Sequence, residues 1–331
     1  MSDVNSQASA VLQLGELRNL LESSRLHFGA LQEGHVKVKY RALDPIWRNN
    51  TADSGGMIPL REHVKRMCTV ANYLSHLGTA NELQTIAESL HLAASLDDLF
   101  ADTDLDGSSL YCRPAADFEE ANSEVAAKYI ASVIVFNFVW IAYEAAVEVA
   151  STRAENKKRL GKGARGRDIL LRIMGDKCFP YLRESVIEAI NLSASSAIEH
   201  NNDEMLRLFS VRATAAIAAE HLRCFRNAVT HGTVKPDPED WGDESRYCAD
   251  EDPALRQFHV NIRITLILIQ LIIRNQLDPN DEIAVWQFSP ELYEFHLHDE
   301  PDALLLTQLH CELPEQDMQE LPLGSSNSVS D

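Results

Sequence analysis

The stretch "CFRNAVTHGTV", residues 224 to 234, sets Arg226, Asn227 and His231 within six positions at the end of a helical pattern. Those residue types suit phosphodiester cleavage without a metal. Histidine titrates near neutrality and can move protons to or from ribose oxygens. Arginine stabilises negative charge developing on phosphoryl oxygens. With Leu222 at the origin and about 100° per residue, Leu222, Phe225, Ala228, Val229 and Cys224 fall on one apolar arc. Glu220, Arg223, Arg226, Asn227, Thr230 and His231 fall on a polar one, which brings Asn227 and His231 together at i, i+4. Gly232 then lets the chain leave the helix. A plainer reading competes, because an Arg and a His near a helix C-terminus are also favoured by the helix dipole, by about 0.3–1 kcal/mol.

The R-polar-x3-H pattern of Arg226, Asn227 and His231, ending a helix and followed by Gly232, resembles the signature of the HEPN superfamily. The setting agrees: an aromatic-rich helix, "FNFVWIAYEAAVE", lies upstream and a second apolar helix follows. The resemblance covers residues 118 to 277. It implies an all-α bundle, commonly paired as a homodimer with two motifs across a shared cleft, and a metal-independent endoribonuclease acting through the ribose 2′-hydroxyl. Carried over, His231 is the general acid or base, Arg226 the phosphate-stabilising group, and Asn227 the polar residue that orients them. Glu144, on the aromatic helix, and Arg223 are supporting candidates. The position two after the histidine is Thr233, where members silenced by nucleotidyltransferase partners carry a tyrosine. Many members are instead non-catalytic scaffolds that bind a partner protein or RNA, and that alternative stays open. So does a ligand-binding bundle.

The elements that must position these groups are helical. The chain has 331 residues, 45% of them hydrophobic, and a net charge of −20. That charge is unevenly spread. Residues 153 to 183 carry ten Lys or Arg against three acids, whereas 237 to 252 carry eight acids and one Arg. Within the basic segment Lys157, Lys158, Arg159, Lys162 and Arg165 are the candidates to track an RNA backbone. Leu14, Leu17 and Leu21 suggest one helix, and Leu60, Val64, Met67, Ala71 and Leu74 a clearer one. Further helices are expected from Asn81 towards Phe100, from Phe118 to Arg159, after Pro180, from Asp203 to the motif, and from Pro253 to Leu277. "DEIAVWQF" and "ELYEFHLH" read as two short strands, a C-terminal hairpin. This divides the chain into an N-terminal helical region (1–115), a HEPN-like domain (116–278) and a C-terminal extension ending in a disordered acidic tail (279–331).

Other motifs fail on context. "GKGARG", Gly161 to Gly166, matches a dinucleotide-binding loop in letters, but a helical pattern precedes it where a strand is required. It reads as a flexible Gly-rich turn or basic contact. "DTDLDG", Asp102 to Gly107, opens like a calcium loop, yet its twelfth position is Arg113. "HLHD" offers two histidines and no third ligand. The six cysteines lack a CxxC pair and read as buried thiols. No metal or cofactor is expected. The N-terminus lacks a signal-peptide pattern, and the apolar stretches at 129–150 and 264–273 read as core helices, so a cytoplasmic protein is expected. Its expected partners are RNA, a second copy, and an antitoxin or defence component, with no membrane.

Overall fold

The computed structural model describes residues 56–76, 81–96, 99–105, 107, 110–151, 161–173, 179–193, 198, 200, 202–236, 253–277, 285–289, 294–298, 306 and 308–311. The expected helix at 14–21 and the acidic tail lie outside them. The described residues are predominantly helical: α1 (Leu60–His76), α2 (Asn81–Ser95), α3 (Arg113–Ala150), α4 (Lys162–Arg172), α5 (Leu182–Ser193), α6 (Asn202–Ser210), α7 (Thr214–Thr230) and α8 (Pro253–Arg274). A short pair follows, β1 (Val285–Ser289) antiparallel to β2 (Glu294–His298), with Gln287 opposite His296.

Packing follows the apolar periodicities. In α1, Leu60, Val64, Met67, Ala71 and Leu74 are all buried, and α2 lies between α1 and α3. Helix α8 is the central element, seated mainly on α3 and α5 and also touching α1 and α7. An edge-to-face triad of Phe136 (α3), Phe225 (α7) and Phe258 (α8), with ring centroids 5.0 to 6.0 Å apart, joins the three helices. Such pairs add about 0.5–1.5 kcal/mol each beyond their buried area. One hydrophobic core runs through helices on both sides of residue 115.

Although its surroundings are apolar, α8 carries two polar stripes about 200° apart. Gln257, Asn261 and Thr265 form one, Arg263 and Gln270 the other, and all five side chains are buried. The second stripe fixes the C-terminal segment. Gln270 donates through Nε2 to Leu306 O (2.6 Å) and accepts from His63 Nε2 at 2.6 Å. His310 donates to Pro180 O at 2.8 Å.

Four local expectations are corrected. Helix α3 spans Arg113–Ala150 rather than 118–159, starting early because Pro114 suits a first helical turn and stopping where Ser151 is extended. The single helix expected from Asp203 to the motif is two, α6 and α7. They are broken where Arg212 takes a left-handed conformation (φ 54°) and Ala213 N–H bonds Leu208 O at 3.3 Å. The Gly161–Gly166 stretch is no turn, because α4 begins at Lys162. Among the described thiols, Cys224 is buried, Cys68 and Cys311 are half-buried, and Cys112 is exposed; Cys178 and Cys248 lie outside the described residues.

Candidate functional site

Helix α7 presents the motif in its last turn. Phe225, fully buried in the aromatic triad, is the neighbour of Arg226 and fixes the helix rotation, so that Arg226 points outward. His231 is the C-cap, and its N–H bonds Asn227 O at 2.9 Å. Gly232 follows at φ 68°, with Thr233 N–H bonding Ala228 O (3.0 Å) and Gly232 N–H bonding Val229 O (3.0 Å). These two bonds are a Schellman closure, and it needs a left-handed residue at 232. Thr233 also donates through Oγ1 to Ala228 O at 3.0 Å. Arg226 and His231 are exposed and Asn227 is half-buried. Among the described residues, none of these three side chains makes a hydrogen bond or ion pair, including with one another.

The remaining cations near α7 are held differently. Glu220, placed on the polar arc by its spacing, is in fact buried, 1% exposed. It accepts Arg223 Nη2 (2.6 Å), Arg223 Nε (3.0 Å) and Arg167 Nη1 of α4 (3.2 Å). Arg167 also meets Glu204 of α6 at 3.1 Å. Close approach of α4 to its neighbours depends on two glycines. A Cβ at Gly163 would stand 3.2 Å from Arg223 Cγ, and one at Gly166 2.9 Å from Val147 Cγ2 and against the Tyr143 hydroxyl. The glycines thus serve helix packing and not phosphate cradling. Since Gly163 lies by Arg223 and Arg167 by Glu220, α4 runs antiparallel to α7, and its Lys162 end faces the motif end of α7.

The proposed RNA-tracking residues divide. Lys162 Nζ lies 3.6 Å from Glu144 and 3.5 Å from Glu148, and Arg165 donates to Glu148 at 3.0 Å. Lys157, Lys158 and Arg159 lie outside the described residues. Glu144 accepts Trp140 Nε1 at 2.8 Å, so it is joined to the start of α4 and not to the end of α7. Arg223 likewise faces Glu220.

Behind the motif helix lies a polar relay that the spacing does not reveal. Asn261 Nδ2 donates to Gln257 O (2.8 Å), so its Oδ1 accepts from His221 Nε2 at 2.9 Å. His221 is then the neutral tautomer whose Nδ1 accepts from His200 Nε2 at 2.9 Å. Burial, and next the neighbouring His200, push His221 down to about 3. Burial also lowers His200, partly opposed by the Glu220 carboxylate. The relay ties α7 to α8 and to the chain before α6. The only advance signals are the two adjacent polar residues, Glu220 and His221, in the Ala-rich run of α7.

No family model, curated protein or solved structure matches this chain. Its chemistry is therefore read from its own residues. Among the described residues no group of three or more His, Cys, Asp or Glu could hold a metal ion. Of the calcium-loop letters, Asp102 accepts the Asp104 N–H at 3.1 Å, and Thr103 Oγ1 donates to Glu119 at 2.8 Å, a turn pinned to α3. Among the described residues two helices, α3 and α8, are long and apolar enough to cross a membrane. The apolar windows of α3 and α8 are 56% and 89% buried inside the protein.

Proposed function

We propose that the chain is a metal-independent endoribonuclease of HEPN type. The observation that supports this reading most is a contrast in α7: Arg223 is locked onto buried Glu220, whereas Arg226 and His231, one and two turns further on, are exposed and uncommitted. In the proposed reaction a ribose 2′-hydroxyl attacks the adjacent phosphorus and the P–O5′ bond breaks. The products are a 2′,3′-cyclic phosphate and a 5′-hydroxyl. His231 transfers the proton and Arg226 meets the charge gathering on the non-bridging oxygens. Asn227 is the polar residue that orients these two groups. Defence or toxin–antitoxin growth arrest in a prokaryotic cytoplasm is the setting that this reading suggests.

The test is cleavage of single-stranded RNA by the purified chain in EDTA. His231→Ala is expected to lower the rate by about 10²–10⁴-fold. Strict dependence on a divalent metal, or full activity in the variant, would remove the mechanism. A second reading, a non-catalytic scaffold, draws support from the pairing of Lys162 and Arg165 with Glu144 and Glu148, which leaves less positive charge for a phosphate backbone.

A further inference from the structure

We propose that the seat between α1, the start of α5 and α8 is a peptide-binding groove. At rest the chain's own segment from Leu306 to Cys311 fills it, and an acidic peptide of a partner protein with the pattern Leu-x-x-Leu-His takes the same place. The segment is held as a bound peptide is held. Leu306 O accepts Gln270 Nε2 at 2.6 Å, and Leu309 O and Cys311 O both accept Arg66 Nη1, at 3.3 and 3.2 Å. His310 O accepts the Ile58 N–H at 3.1 Å. Three of these four bonds therefore come from side chains of α1 and α8. Among the described residues the segment's one regular backbone pairing with the rest of the chain is a single bridge, Met57 with Cys311. Capture of carbonyls in this way is indifferent to sequence and supplies affinity.

Selectivity comes from three side chains. Leu306, Leu309 and His310, at i, i+3 and i+4, are each 0% exposed, which is the anchor spacing of a helical turn laid in a groove. Cys311 N–H closes that turn on Gln308 O at 2.8 Å. His310 is read at both ring nitrogens: Nε2 donates to Pro180 O at 2.8 Å, so Nδ1 accepts from Gln270 Nε2 at 3.3 Å. Its ring also lies parallel to Phe179, with centroids 6.4 Å apart. A leucine at this position would make neither hydrogen bond. Charge sets the rest of the ligand class. Residues 299 to 320 carry seven acids and no Lys or Arg, and the seat they flank brings the cations Arg66 and Arg263 to His310 and Cys311. The proposal stands on this seat alone and not on the ribonuclease reading.

The experiment measures binding of a fluorescent synthetic peptide, residues 299–314 of this sequence, to the full chain by anisotropy. Leu306→Asp/Leu309→Asp in the chain disables the resident segment, so this variant should bind the peptide saturably. The wild-type chain should bind it roughly 100-fold more weakly, because its tethered copy competes at an effective concentration on the order of millimolar. A peptide carrying His310→Ala should lose roughly tenfold in affinity, the worth of its lost hydrogen bonds, and a scrambled peptide should not bind. Should the double variant lose its helical signal, His310→Ala in the chain carries the test. That change weakens the resident segment and leaves the seat intact, so the unaltered peptide should bind about tenfold more tightly than to wild type. Three results each overturn the proposal: no saturable binding by the folded variant under test, equal binding of the scrambled peptide, or equal affinity in the wild-type chain.

Discussion

Glu220 and Arg223 form a two-bond ion pair one turn apart on α7, at 2.6 and 3.0 Å, with the carboxylate 1% exposed and the guanidinium partly in solvent. Arg167 reaches the same carboxylate from α4. The arrangement makes Glu220 the point at which the motif helix is fastened to its neighbour. Glu220→Ala removes the acceptor for both guanidiniums and should cost about 1.5–3 kcal/mol, the usual worth of hydrogen bonds to charged groups. Chemical denaturation would show it. Glu220→Gln should recover only part, since an amide offers one acceptor oxygen where the carboxylate offers two.

Arg226 and Arg223 should behave oppositely when truncated. Among the described residues the Arg226 side chain makes no hydrogen bond or ion pair, so Arg226→Ala should leave the unfolding free energy within about 0.5 kcal/mol. RNA cleavage should fall by about 10²–10³-fold, as when one transition-state donor is lost. Arg223→Ala should lower stability instead, because it strips a partner from buried Glu220. If Arg226→Ala cleaved RNA at the wild-type rate, the phosphate would have to be met elsewhere.

Elements whose burial is one-sided were legible. The stripe of α1 and the apolar arc of α7 emerge at the expected positions, and Gly232 ends α7 as its freedom at positive φ allows. What the spacing concealed involves polar groups turned inward. Glu220 looks solvent-facing on a wheel because a wheel knows polarity and not the presence of Arg167 on another helix. The glycines at 163 and 166 look like loop residues because their helix-packing role is set by Tyr143, Val147 and Arg223, distant in sequence. The α6–α7 break has no Gly or Pro, only Arg212 held left-handed by the closure around it.

Gly166 and Tyr143 offer a direct test of that packing. The Tyr143 hydroxyl is buried without a hydrogen-bond partner, and burial raises its ionisation far above the ordinary phenol range. Tyr143→Phe removes an unsatisfied polar atom and should be neutral or stabilising by up to about 1 kcal/mol. Gly166→Ala drives a methyl against Tyr143 and Val147 and should cost about 1–3 kcal/mol. Because the two positions touch, the double variant should recover part of that loss. Strict additivity in a double-mutant cycle would contradict the close approach of α3 and α4.

The buried histidines predict how stability responds to acid. Burial chiefly, helped by neighbouring His200 for one and Arg263 for the other, pushes His221 down to about 3 and His310 to about 4, the latter opposed by its bond to Pro180 O. His63 is also well below its usual range, first from burial and then from Arg263. In the unfolded chain each would titrate near about 6.5. Between those values the unfolded state binds protons that the native state refuses, so stability rises with pH. It is fully present above about pH 6.5 and is lost as pH falls towards the folded values, by up to about 1.4 kcal/mol per pH unit for each histidine. Urea midpoints at pH 7, 6 and 5 should fall in order, ahead of the range in which ordinary carboxylates protonate. His310→Gln keeps a donor for Pro180 O and removes one titrating site, so its slope over this range should be shallower by about one proton. An unchanged slope would mean that His310 is already protonated in the native protein, and that the C-terminal segment is held by a cation beside Arg263.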